Sequence, residues 1–167
     1  MGKQIGKSFI SSLAPGEKFI GVGVLAAVIG FFLPAISISV SDKAAQLIAF
    51  LLGPLAPVGS GDETHTSISF FDITKILGVA YFFLLLAVGS GVLFYFSRRA
   101  AAPRKLLFGG FQIVIGSLYG PSMILGLLFI PGMGLAAGIG YWLLCLGYCA
   151  IAAGGLITVA TVGKTAQ

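Results

Sequence analysis

The side chains suited to chemistry are few and fall in two places. His65 is the only histidine, close behind Asp62 and Glu63. Two carboxylates and an imidazole can hold a divalent cation, since oxygen and nitrogen donors suit several metals. The spacing matches no calcium loop, and Asp-Glu-Thr-His is equally a solvated turn, so no metal site is expected. Cys145 and Cys149 lie four apart and share a helix face, a spacing that is neither a thioredoxin-like pair nor a zinc motif. Buried cysteine behaves as a small hydrophobe, so these residues, with Gly147, are expected to permit close helix packing. Nothing supplies a nucleophile–base pair, histidine-ligated haem has no usual residues, and no cofactor is expected. A pigment or lipid held through other groups stays open.

The elements that must position these residues are apolar. The chain has 167 residues, of which 57% are hydrophobic and 9% charged, against about 25% charged in a soluble domain. That excludes a soluble enzyme, a disordered chain and a disulfide scaffold. Charges are absent from 19–41, 76–97 and 106–163, and Pro131-Gly132-Met133-Gly134 divides the last stretch. About 20 apolar residues cross a bilayer as a helix. The expected fold is therefore an all-α membrane protein, a four-helix bundle with spans at about 19–40, 75–97, 105–130 and 135–162. No Asp, Glu, Lys, Arg or His falls in a span core, where ion and proton routes normally place ionisable groups.

Lys3, Lys7, Lys18, Arg98, Arg99, Arg104, Lys105 and Lys164 fall on one side of these spans, Lys43 and Lys75 on the other. Lys/Arg excess marks the cytoplasmic side, which places both termini there, in a cytoplasmic membrane. The net charge of +5 is this asymmetry, so no nucleic-acid partner is expected. Ala35-Ile36-Ser37 is a passable signal-cleavage site, but the apolar run is longer than a usual signal core and retention is expected. Residues 1–18 read as a cytoplasmic amphipathic segment, with Ile5, Phe9, Ile10 and Leu13 on one face and a break at Pro15-Gly16. A loosely ordered tail is the alternative.

The outer loop, 41–74, is the one sizeable extramembrane part. Alternation through Ile36, Ser37, Ile38, Ser39 and Val40, and again through Ser67, Ile68, Ser69 and Phe70, predicts two paired strands. Ala44–Leu52 predicts a short helix before Gly53-Pro54. Leu47, Leu51, Leu52, Ile68 and Phe70 are the expected partner contacts, because a lone chain would leave this apolar surface uncovered.

Glycine, with 25 copies, is the informative residue in the spans. Gly116-x-x-x-Gly120, Gly134-x-x-x-Gly138 and Ala136-x-x-x-Gly140 let helix backbones approach closely. They predict packing of spans three and four, with association between copies as the alternative. Pro121 is expected to kink the third span, Pro34 to end or bend the first, and Gly154-Gly155 to weaken the fourth.

Four spans, cytoplasmic termini, a strand-bearing first outer loop and a short second one resemble the claudin-like tetraspan layout. Claudins carry a Trp and a Cys pair in that loop, and residues 41–75 contain neither. The run Gly16-Glu17-Lys18-Phe19-Ile20-Gly21 through Ile29-Gly30-Phe31-Phe32-Leu33-Pro34 is similar to the first span of small uncharacterised prokaryotic four-helix proteins, in which Leu-Pro closes the helix before an outer strand. The expected function is a non-enzymatic structural or accessory subunit, docking to other membrane proteins or its own copies through glycine-rich helix faces and the outer loop. The alternative is an oligomeric channel or passive transporter for a small neutral solute, lined by Ser, Thr, Gln and backbone at Gly120-Pro121 or Gly154-Gly155.

Overall fold

A computed structural model describes residues 13–40, 64–76, 78, 81–129 and 135–165. The first helix, α1, spans Pro15–Phe32. Pro15 occupies its first turn, where a fixed φ and a missing N–H cost nothing. The Glu17 carboxylate accepts the Ala14 N–H at 3.0 Å, placing negative charge at the positive end of the helix dipole. Pro15 thus opens α1, and the first span starts earlier than 19. It also stops earlier than 40. Proline disfavours helical backbone in the residue before it, and Leu33 is extended at φ −84°, ψ 159°.

The chain continues from there as β1, Pro34–Val40. It pairs antiparallel with β2, Thr64–Ser69, matching Ile36 to Ile68 and Ser39 to His65. A third strand, β3, Leu135–Ala137, pairs with the other edge of β1, so the sheet order is β2-β1-β3. The expected fourth span starting at 135 is therefore a strand for its first three residues. A short α2, Phe70–Ile76, follows β2 directly.

Three more long helices complete the described chain: α3, Tyr81–Arg98; α4, Ala102–Phe129; and α5, Ile139–Thr165. With α1 they make four helices long and apolar enough to cross a membrane. The 18 residues of α1 reach about 27 Å at 1.5 Å per residue, close to the hydrocarbon thickness. Pro121 lies inside α4, which runs unbroken past it. α5 packs along α1 on one side and α4 on the other, while α3 closes the bundle against α1 and α4. Phe31, Met123, Tyr141, Leu144, Cys145, Tyr148 and Ile151 form the core. Tilted and edge-on rings continue it from Phe70 through Phe83 and Tyr119 to Tyr148.

Candidate functional site

A glycine-on-glycine seam joins α1 and α5. Gly16, Gly23 and Gly30 recur every seven residues on α1, as do Gly140, Gly147 and Gly154 on α5. The helices run antiparallel, so Gly30 meets Gly140, Gly23 meets Gly147 and Gly16 meets Gly154. A Cβ built at Gly30 would lie 2.8 Å from the Gly140 carbonyl oxygen, and one at Gly154 would lie 2.7 Å from that of Gly16. No side chain fits at such distances. A seven-residue step returns to nearly the same helix face after two turns, which keeps all three pairs on one line.

The α4–α5 interface is built alike. A Cβ at Gly116 would collide with the Tyr148 carbonyl and the Ala152 backbone, and one at Gly120 would lie 2.9 Å from Cys149 Sγ. These two glycines join α4 and α5, as expected of the third and fourth apolar segments. Gly138 and Gly140 do not. Gly138 lies against the Pro34 carbonyl and Gly140 against Leu33 and Gly30, so they fit the fourth span to the first span and its strand. The cause is β3, which pins the start of α5 beside β1. Gly134 lies outside the described residues. Gly154 and Gly155 are no weak point: they sit within unbroken α5, facing α1 and α4 respectively.

Polar groups inside the bundle turn mostly to backbone carbonyls. Tyr141 donates to Met123 O and Tyr148 to Phe83 O, each at 2.6 Å, while Cys145 Sγ sits 3.8 Å from Gly120 O. Gln112 donates to Ser90 O at 2.8 Å. The Ser90 hydroxyl and Gln112 Oε1 are buried beside this bond with no protein partner. Among the described residues no group of His, Cys, Asp and Glu is placed to hold a metal. His65 pairs through its backbone with Ser39, while Asp62 and Glu63 lie outside the described residues.

Within the four long helices, charged residues occupy only the end turns: Glu17 and Lys18, Arg98, Arg104 and Lys105, and Lys164. Since Gly16 meets Gly154 and Gly109 meets Gly155, these ends gather together, opposite the sheet. On the sheet side, the Ser69 hydroxyl donates to Asp72 Oδ2 at 2.6 Å and accepts the Asp72 N–H at 3.1 Å, capping α2. That bond is the main cause holding the Asp72 carboxyl below its usual range; partial burial opposes it and Lys75, at 3.1 Å, adds to it.

Of the expected partner contacts, Ile68 is half-buried on β2. Phe70 is not on a strand face: it is the first residue of α2, 7% exposed, and stacks on Tyr141. The helix begins one residue too early for the alternation to carry Phe70 outward. Leu47, Leu51 and Leu52 lie outside the described residues, as do Ile5, Phe9 and Ile10. The sequence mark of the α1–α5 seam is the seven-residue recurrence of glycine in both segments rather than small residues four apart. Comparison with known protein families, with curated proteins and with solved structures finds no match for this chain.

Proposed function

We propose that the chain is a structural or accessory subunit of a membrane-protein complex, without catalytic activity of its own, in the cytoplasmic membrane of a prokaryote. Both termini face the cytoplasm, because the end carrying Lys18, Arg98, Arg99, Arg104, Lys105 and Lys164 is the one the Lys/Arg rule assigns inward. The observation that carries the reading is the confinement of charge to the end turns of the four long helices. Their interior offers close backbone contact and hydrogen bonds to carbonyls, which supports rigidity rather than proton or ion movement.

Docking falls to the outer loop and sheet. Gly116, Gly120, Gly138 and Gly140 are occupied by contacts within the chain, which removes them as surfaces for a partner. The loop joins an apolar run at Ala44–Leu52 to acids at Asp62 and Glu63, offering contact area and charge complementarity together. Purification in mild detergent followed by native mass measurement tests the reading. A complex with one or more defined membrane proteins is expected. A strictly monomeric species with no co-purifying protein overturns it.

A further inference from the structure

The seam side of α1 is closed, but its side toward α3 is not. A cavity of about 400 Å³, almost wholly apolar, opens there between Gly21, Val22 and Leu25 of α1 and Gly91 and Phe94 of α3, with Leu13 and Lys18 at one end. Two glycines create it. A Cβ at Gly21 would meet nothing within 4 Å, and one at Gly91 would meet only Val24 Cγ1, at 3.3 Å. The cleft is partly open, and its volume is that of a ligand pocket.

We propose that this cleft holds one acyl chain of an anionic phospholipid, with the lipid phosphate at Lys18. The inference rests on the four long helices crossing a bilayer and is independent of any protein partner. Lys18, Gly21, Val22 and Leu25 share one face of α1, so the exposed Lys18 stands at one end of the apolar cleft. Arg98 lies one turn beyond Phe94 on the matching face of α3. Arg99, Arg104, Lys105 and Lys164 gather at the same end. Among the described residues there, the one carboxylate is Glu17, whose Oε2 already accepts the Ala14 N–H. The mouth is therefore positive and the cleft greasy, the complement of a phosphate joined to a hydrocarbon tail.

Native mass spectrometry of the full chain tests this, with phosphatidylglycerol and phosphatidylcholine of identical acyl chains titrated separately. Wild type is expected to retain phosphatidylglycerol about fivefold more, the ratio that about 1 kcal/mol between a cation and a net-anionic headgroup carries. Gly21→Leu, whose Cβ meets nothing within 4 Å, takes up room in the cleft and is expected to lower retention of both lipids about fivefold or more, the equivalent of one or two buried methylenes. Lys18→Gln is expected to lower phosphatidylglycerol retention more than phosphatidylcholine retention and so to shrink the preference, and an unchanged ratio overturns the placing of the headgroup at Lys18. Gly110→Leu, also in open space, controls for an added side chain and should change neither, and unaltered helical content shows that each variant is folded. Equal retention of the two lipids by wild type, or undiminished retention by Gly21→Leu, overturns the proposal. A dimer that Gly21→Leu abolishes overturns it too, by assigning the cleft to a second copy.

Discussion

Gly23 of α1 and Gly147 of α5 stand so close that each leaves room for the other's backbone alone. A Cβ at Gly23 would lie 2.6 Å from the Gly147 carbonyl oxygen, and one at Gly147 would lie 2.7 Å from that of Gly23. Gly147→Leu must push the helices apart and is expected to destabilise the bundle by about 3 kcal/mol, the upper range for overpacking. Gly110→Leu, which meets nothing within 4 Å, should be neutral or slightly stabilising through helix propensity. Unfolding by SDS in mixed micelles measures both. Equal losses at the two sites would mean that the seam does not hold the bundle together.

Tyr148→Phe removes the hydroxyl that bonds Phe83 O at 2.6 Å, a link from α5 across the bundle to α3. The expected loss is about 1 kcal/mol, the ordinary net worth of such a bond. Because α3 otherwise meets α1 and α4, its amides near Phe83 and Ala87 should exchange with solvent faster while those of α1 do not. Uniform acceleration along every helix would assign Tyr148 a general packing role instead.

The cap of α2 carries a pH dependence with a definite sign. Asp72 sits below its ordinary value of 3.8 because the Ser69 hydroxyl bonds its charged form. A carboxyl depressed in the folded state stabilises above its unfolded pKa, and that contribution disappears as pH falls through the folded value. The start of α2 should therefore be unaffected near neutrality and loosen only in acid below 3.8. The carboxyl chemical shift of Asp72, followed by NMR, should show a midpoint under 3.8 that rises in Ser69→Ala. Ser69→Ala should also cost about 1 kcal/mol as a lost cap. An unmoved midpoint would assign the depression to Lys75.

In the outer loop, changing Leu47, Leu51 and Leu52 together to Ser should weaken recovery of co-purifying proteins and leave membrane insertion intact. Insertion depends on the apolar helices, which those changes do not touch. Pull-down of wild type against the triple variant measures this. Undiminished recovery of every partner would make the segment a lipid anchor.

The number of long helices was legible because charges bracket them: Lys18 and Asp42 around the first, Lys75 and Arg98 around the second. Their ends were less so. The uncharged run after Lys18 holds both α1 and most of β1, and charge cannot separate two apolar elements; Leu33-Pro34 does. Leu135–Ala137 is apolar, short and contiguous with a helix, so nothing local marks it as a strand. Only pairing with Ile36, Ser37 and Ile38, roughly a hundred residues earlier in the chain, makes it one. Gly116 and Gly120 stood out by their four-residue spacing, but which helix a glycine meets is not written locally. Gly138 and Gly140 went to α1 for that reason. The cleft at Gly21 was hidden by the same logic, since a glycine that admits a backbone and a glycine that leaves a gap read alike.

The seam between α1 and α5 has a consequence for how the protein is made. The first long helix finds its main partner in the fourth, so α1 leaves the ribosome with Gly16, Gly23 and Gly30 facing nothing that fits them. It must wait without its main partner until residues 139–165 arrive. The sheet waits with it, since β1 gains its second neighbour only at Leu135. Closure is therefore a single late event rather than a helix-by-helix accretion. A chain cut short before α5 does not lose an outlying helix; it strands the first one, and quality control would meet an unpaired α1 in place of a smaller bundle.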